Sequence, residues 1–269
     1  MDFPKYIKWF VEKHTVTFED DIPLTCYHLD YNFDDEVYNE WAYHIRKHYE
    51  TDEELKDSLS ATRMSAEKYL RKFIIPQKDD SLGPTSRSND FTEIMISDLL
   101  EFVKGYTVPR CKQRNRSGKT QSEHGTDIIA YKYAKDTNIP SKNDELFAIE
   151  VKAGLSSDKY LPICAAVTDS HKYDEVRHAH TLNYYRKKLE SISNLQQAKE
   201  ISRFQQKSDY DYIITYIAAA IISRNEISNN IILGIQGKSL ELRQNDKVFL
   251  VHGDSLMNLA HEIYERCIG

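Results

Sequence analysis

The sequence predicts an α/β fold in which a mixed central sheet is flanked by helices. Two apolar stretches, residues 126–134 and 146–152, have the β-branched and apolar composition of buried strands. An amphipathic segment at 91–104 precedes them, and a strand at 247–252 and a final helix at 254–267 follow. This order of helices and strands is typical of a sheet that is covered by helices.

The first 80 residues are acidic and are predicted to be mainly helical. Residues 1–60 hold 15 Asp or Glu against 6 Lys or Arg. Apolar spacing predicts helices over 35–49 and 52–75, and the second must end before Pro76, which cannot continue a helix. Such a region could dock a partner, cover a site as a lid, or form a solvated appendage, and the sequence leaves all three open.

The clearest linker in the chain is QKDDSLGPTSRSN at 77–89, which collects Gly, Pro, Ser and Asp. We therefore place a domain boundary there, with an N-terminal region at 1–80 and a second domain at 81–269. In the second domain, Asp90 is expected to cap the helix at 91–104.

The rest of the second domain contains less regular segments. A short strand is predicted at 106–110 and a basic loop at 111–122, between the amphipathic helix and the first apolar strand. The polar stretch 172–207 predicts one or two long helices. Residues 210–222 are compatible with either a strand or a helix, and a further strand is predicted near 230–235.

Composition favours a soluble, cytoplasmic protein. The 269 residues are 40% hydrophobic and 29% charged, and the net charge is -6 at pH 7. The 4 cysteines lie far apart without a CxxC pair, so neither a disulfide framework nor a zinc ribbon is predicted. The beginning of the sequence is too polar for a signal peptide, and the longest apolar run, 212–222, is about half the roughly 20 residues that a membrane span requires.

Two clusters of basic residues stand out against the acidic average. The stretch 104–119 contains six Lys or Arg and no acid, and a second cluster lies within 171–207. Because basic clusters contact polyanions, both are predicted to contact nucleic-acid phosphates, although each could also be a solvated surface. The residues proposed for this contact are Arg110, Lys112, Arg114, Arg116, Lys119, Arg186, Lys187 and Lys188.

Charged side chains also lie within the two apolar strands, where burial would ordinarily exclude them. Asp127 begins the first strand, and Glu150 and Lys152 lie two positions apart in the second, so they share one face. If the strands pair as a hairpin, Asp127 lies beside Glu150. Two adjacent carboxylates are costly to bury unless a cation neutralises them, and Mg²⁺ prefers such oxygen ligands. The arrangement predicts metal-assisted hydrolysis of a phosphodiester, in which the metal activates water.

Each of these residues also has a structural interpretation. Glu150 and Lys152 could form a surface ion pair, and Asp127 could belong to a turn that begins the strand. Glu93 lies in the first turn of the predicted helix, where an acid is favourable for the helix dipole. Neighbouring Glu123 and His124 could line the site or be solvated.

The order Glu93, HGTD at 124–127 and IEVK at 149–152 resembles the PD-(D/E)xK nuclease superfamily. The resemblance implies a restriction-endonuclease-like core that cleaves nucleic acid with Mg²⁺ or Mn²⁺. It implies that Asp127 and Glu150 are metal ligands, that Lys152 is the catalytic lysine and that Glu93 is an auxiliary catalytic acid. One departure is that Thr126 stands where the superfamily motif has proline.

More narrowly, the acidic N-terminal region, the helix SRSNDFTEIMISDLL, the basic loop, HGTDIIAY and EVKAG together resemble the HamA (AbpA-like) nuclease subunit of Hachiman anti-phage defence. The resemblance implies DNA as substrate and a separate helicase as partner. The sequence has no Walker-type GxxxxGK[ST] motif, so an ATP-driven motor would have to be another protein. Two alternatives are a restriction-type nuclease that acts alone and a non-catalytic DNA-binding or adaptor subunit.

Overall fold

The computed structural model describes residues 3–17, 23–121, 123, 125–135, 139–156, 162–224, 240, 242–243 and 246–269. Within these residues, six strands form one mixed sheet. In chain order they are β1 Phe10–Thr17, β2 Pro23–Leu29, β3 Ile128–Lys132, β4 Glu145–Gly154, β5 Ile213–Ser223 and β6 Lys247–Gly253.

The sheet has the order β1-β2-β6-β5-β4-β3. The four central strands β2, β6, β5 and β4 run parallel to one another, whereas β1 pairs antiparallel with β2 at one edge and β3 pairs antiparallel with β4 at the other. The mixed α/β fold predicted from the sequence is therefore confirmed. Residues 210–222, which the sequence left undecided, form most of β5, whose β-branched and alanine side chains suit a strand buried on both faces.

Eight α-helices occur in the described residues. They are α1 Asp35–Tyr49, α2 Asp52–Thr62, α3 Ala66–Tyr69, α4 Gly83–Asp98, α5 Pro162–Ser170, α6 Glu175–Ser191, α7 Leu195–Phe204 and α8 Leu256–Arg266. A 3-10 helix covers Lys5–Trp9, and π-helical turns cover Leu70–Ile74 and Leu99–Val103. None of the helices in the described part of the chain is long and apolar enough to cross a membrane.

The helices divide between the two faces of the sheet. On one face, Phe147, Ile149 and Val151 of β4 share a core cluster with side chains of α1, α4 and α8. On the other face, α5 covers β4, β5 and β6, while α6 and α7 cover β3. Because the side chains of a strand alternate between faces, Glu150 and Lys152 belong to the face that α5 covers.

The N-terminal region contributes strands as well as helices. The predicted helix α1 is confirmed, and the Asp34 side chain caps it by accepting a hydrogen bond from the Val37 amide at 3.2 Å. The predicted helix at 52–75 is interrupted at Arg63, which is left-handed with φ 54. Strands β1 and β2 were not predicted, and β2 pairs with β6 inside the common sheet. The division into domains at residue 80 remains a prediction.

Three other sequence predictions were wrong, concerning a linker, a helix cap and a short strand. The predicted linker at 77–89 is helical from Gly83 onward, with proline in the first turn, where its missing N–H is not needed. Asp90 therefore lies inside α4 and does not cap it. The predicted strand at 106–110 is reduced to a single bridge between Thr107 and Tyr131. The strand predicted near 230–235 lies outside the described residues.

Candidate functional site

The β3–β4 hairpin brings the two halves of the predicted motif together. Ile128 lies opposite Ile149 in the antiparallel register, which places Asp127 at the level of Glu150. The backbone amide of Val151 donates a hydrogen bond of 2.8 Å to Oδ2 of Asp127. Tyr185 from α6 donates a second bond, at 2.9 Å, to the carbonyl oxygen of Asp127. Both the side chain and the backbone of Asp127 are thereby fixed beside β4.

Glu150 is almost fully buried, with 4% of its surface exposed. Its register partner on β5 is Ala218. Burial raises the pKa of Glu150, and the nearby Asp127 carboxylate raises it further, to about 8. Arg177 of α6 opposes this effect by donating a hydrogen bond of 2.8 Å to Oε1 of Glu150. The site therefore contains a carboxyl group whose charge depends on its neighbours.

Lys152 lies on the same face of β4, and its side chain is 28% exposed. Its ammonium group forms an ion pair with Asp169 near the end of α5. Burial lowers the pKa of Lys152, but the contact with Asp169 and the nearby charges of Asp127 and Glu150 together outweigh burial, so the net shift is upward. Lys152 is consequently held in its charged form, with one face still accessible.

Glu93 reaches the same site from α4. Its Oε2 lies 3.8 Å from Nζ of Lys112 and accepts a hydrogen bond from Gln113 at 3.1 Å. Lys112 also lies 3.6 Å from Oδ1 of Asp127, so one lysine contacts both carboxylates. Burial raises the pKa of Glu93 to about 7 despite the opposing charge of Lys112. The structure thus brings all four predicted catalytic residues into one region.

The donor set of this region fits a hard divalent cation. Asp127 and Glu150 offer carboxylate oxygens, and their mutual repulsion is visible in the raised pKa of Glu150. Carboxylate oxygens together with water and phosphate are the ligands that Mg²⁺ prefers. In the structure, Lys112 and Arg177 neutralise these same carboxylates.

The basic loop is largely folded into the protein. Arg116 makes two hydrogen bonds of 2.7 Å to the Asp90 carboxylate, and Arg110 lies 2.8 Å from Asp98. Similar ion pairs join Arg114 to Glu54 at 2.5 Å, Lys119 to Asp80 at 2.6 Å, Lys188 to Glu123 at 3.1 Å and Arg186 to Glu190 at 2.7 Å. Of the eight predicted phosphate-contacting residues, seven are buried or partly buried, and Lys187 is exposed. Contact with DNA stays a prediction for this set, and the geometry gives the loop arginines a structural role.

Sequence reasoning missed Arg177 and Asp169, which contact Glu150 and Lys152 directly. Both come from helices that follow β4, where charged residues are common, so the sequence held no signal that could single them out. Glu123 lies beside Lys188 at the margin of the site. His124, which was considered as a lining residue, lies outside the described residues.

The family model of HamA matches residues 4–267, which is nearly the whole chain. The chain belongs to the HamA family. Membership of the HamA family indicates a subunit of a Hachiman anti-phage defence system. No curated protein matches this HamA chain. Its placement in the broader PD-(D/E)xK superfamily stays a prediction.

Proposed function

We propose that this chain is a metal-dependent DNA endonuclease or nickase that hydrolyses phosphodiester bonds. The proposal is carried by one observation: the β3–β4 hairpin places Asp127 beside Glu150, with Lys152 on the same face of β4 as Glu150. A carboxylate pair of which one member is buried and the other partly buried, next to a lysine, is costly for stability, because the charges lose hydration. Charged groups with such a cost to stability are common at catalytic sites, where the charges take part in the reaction.

Asp127 and Glu150 would hold Mg²⁺ or Mn²⁺. When bound, the ion supplies a Lewis acid that activates water and stabilises charge on the phosphate. Lys152 is held charged by Asp169, so its ammonium can position the attacking water or stabilise a phosphoryl oxygen. The Val151 amide holds the Asp127 carboxylate, and the Tyr185 hydroxyl holds the Asp127 carbonyl, so this carboxylate needs no rearrangement during the reaction.

Arg177 and Lys112 act on the same carboxylates as the proposed ion. Each neutralises a negative charge in the structure, and each would be free to contact substrate phosphate if the ion took over that neutralisation. Glu93 contacts Lys112, so it positions this lysine and also tunes the charge of the site. These residues connect metal binding with substrate binding.

We further propose that the chain is the effector subunit of a prokaryotic defence complex with a separate helicase. Family membership supports a defence role. No Walker-type GxxxxGK[ST] motif occurs in the 269 residues, so we assign the ATP-driven step to a separate protein as part of this proposal. Lys187 of α6 is exposed and is the proposed DNA contact on this helix, ten residues after Arg177. The acidic N-terminal region is the candidate docking surface for the partner.

A cleavage assay distinguishes this proposal from its two alternatives. Supercoiled plasmid is incubated with the chain and Mg²⁺ or Mn²⁺, with and without any helicase that a neighbouring gene encodes. Metal-dependent nicking that requires the helicase and ATP supports the effector subunit, whereas site-specific cleavage by the chain alone supports a restriction-type nuclease. Tight DNA binding with no cleavage under any of these conditions would contradict the catalytic proposal and leave the adaptor.

A further inference from the structure

A second group of metal-ligating side chains lies outside the candidate active site. His44 and His48 stand four residues apart on α1, so they share one helix face, and Asp98 lies at the end of α4. Nε2 of His44 is 3.0 Å from Oδ1 of Asp98 and 3.1 Å from Nε2 of His48. All three ligand atoms lie within 4.8 Å of one another.

Hydrogen bonding alone cannot satisfy this arrangement. Nε2 of His44 is the atom shared by both short contacts, and a ring nitrogen either carries a proton or offers a lone pair. If Nε2 of His44 carries a proton and donates it to Asp98, this nitrogen cannot also accept a hydrogen bond from His48. If Nε2 of His44 carries no proton and accepts from His48, no proton lies between it and the Asp98 carboxylate. One contact therefore always lacks a linear hydrogen bond. A cation between the three atoms would satisfy all of them at once.

We propose that His44, His48 and Asp98 bind Zn²⁺ or a similar borderline transition-metal ion, which joins α1 to α4. Zn²⁺ binds imidazole nitrogen at about 2.0 to 2.1 Å, and tetrahedral ligands at that distance are about 3.3 to 3.4 Å apart. The two short contacts in the structure are only slightly closer than this. Two imidazoles with one carboxylate favour Zn²⁺ over Mg²⁺, which prefers oxygen ligands.

The surroundings orient the carboxylate as metal sites commonly require. Asp98 is fully buried. Its Oδ2 accepts a hydrogen bond of 3.0 Å from the Tyr6 hydroxyl, and its Oδ1 also lies 2.8 Å from Arg110. Hydrogen bonds to the outer side of a ligand fix its direction and tune its basicity. The Arg110 contact also lies on Oδ1, so the ion would share that oxygen with the guanidinium.

Solvent reaches the group from one side. His44 has 23% of its side chain exposed and lines an open cleft of about 760 Å³ together with Tyr43, Lys47 and Glu101. The cleft provides an entry path and room for a water molecule in the fourth position. His48 is buried and also borders a small cavity that touches Glu93, Lys112 and Asp127. The metal would therefore hold the N-terminal region against the helix that carries Glu93.

Zinc binding to the full chain tests this proposal. The untagged protein is freed of metal with a chelator and titrated with Zn²⁺ against a chromophoric competitor, and Co²⁺ is used as a spectroscopic probe. We expect about one tightly bound equivalent and a tetrahedral Co²⁺ spectrum in visible light. Affinity should fall at least about 100-fold in His44→Gln and about tenfold in Tyr6→Phe, which removes only the outer hydrogen bond.

Two control variants separate this site from other histidines and from the candidate active site. His171→Gln removes a histidine from another His–Asp pair, with 3.3 Å between His171 and Asp246, and should leave Zn²⁺ affinity unchanged. Glu150→Gln should also bind one equivalent of Zn²⁺ tightly. The zinc titration therefore gives the same outcome whether or not the nuclease proposal holds. His44→Gln keeps the partly exposed end of the site polar, and circular dichroism confirms its folding. Equal Zn²⁺ affinity in wild type and His44→Gln, or no tight equivalent in wild type, would overturn the proposal.

Discussion

The guanidinium of Arg177 lies 2.8 Å from Oε1 of Glu150, a contact between residues 27 positions apart in the chain. It joins α6 to the central strand of the candidate site. Lys112 makes the corresponding contact with Asp127 at 3.6 Å. Two cations and two carboxylates therefore form one largely buried network, in which the charge on Glu150 is set by its neighbours.

Removing the Arg177 guanidinium should shift the pH dependence of cleavage. Arg177 lowers the pKa of Glu150 against burial and the Asp127 charge, so Arg177→Gln should raise that pKa above its wild-type value of about 8. Metal binding requires the ionised carboxylate, so the acidic limb of the pH–rate profile should move to higher pH. Each unit by which the pKa of Glu150 rises should lower the cleavage rate on the acidic limb about tenfold. Arg186→Gln on the same helix, which breaks a pair with Glu190, should leave the limb in place.

The stability of the protein without divalent metal should fall as pH rises because of Glu150. In the unfolded chain this carboxyl loses its proton near pH 4.5, whereas in the folded protein it keeps it until about pH 8. Between these values the folded state binds the additional proton, so the free energy of unfolding decreases with increasing pH. Glu150→Gln lacks this contribution, and its stability relative to wild type should grow by at least about 1.4 kcal/mol between pH 5 and 8.

Urea denaturation in the presence of chelator, repeated across this pH range, measures the difference. Glu145→Gln is the matched control, because it changes a partly exposed glutamate at the start of the same strand. A pH-independent difference between Glu150→Gln and wild type would contradict the assigned burial of a protonated carboxyl.

Asp169 should act as a positioning residue for Lys152. Its carboxylate raises the pKa of Lys152, so Asp169→Asn should lower that pKa and move the basic limb of the pH–rate profile to lower pH. The ammonium would also be less firmly held, and the maximal rate should fall. Lys172→Ala removes the other cation that contacts Asp169, at 2.7 Å, and should leave the limb unchanged. If the basic limb does not shift in Asp169→Asn, the ionisation of Lys152 does not determine the position of that limb.

Arg116 should contribute mainly to stability. Its two bonds of 2.7 Å to Asp90 are buried, and Asp90 also accepts a hydrogen bond of 2.6 Å from Tyr49. Asp90→Ala leaves the guanidinium buried without its partner and should cost about 3 to 5 kcal/mol in urea denaturation. Arg186→Ala, which breaks an i,i+4 surface pair with Glu190, should cost about 0.3 to 0.5 kcal/mol. Equal costs for the two variants would contradict the structural role of Arg116.

The sequence predicted the parts of the site that depend on local pattern. Strands β3 and β4 follow from continuous apolar residues, and the period of two places Glu150 and Lys152 on one face. The hairpin then fixes Asp127 beside Glu150, as expected. Helix α1 also followed from its apolar spacing.

Features that depend on distant partners were not predictable in this way. The sequence places Arg116 in a basic loop, whereas its partner Asp90 lies 26 positions earlier, at the start of a predicted helix. Strands β1 and β2 carry mixed polar and apolar residues, so no clear alternation marked them. Only the folded chain brings Arg177 and Asp169 to the β4 charges.

The most direct test of the nuclease assignment is the single-turnover rate of plasmid nicking by Lys152→Met at saturating Mg²⁺ and partner helicase, compared with wild type. Lys152→Met keeps the length of the side chain and removes its charge, while Lys172→Met is the matched control. We expect the rate to fall at least about 100-fold in Lys152→Met with DNA binding retained, and to stay unchanged in the control. Equal nicking rates for Lys152→Met and wild type would contradict the assignment of catalysis to this site.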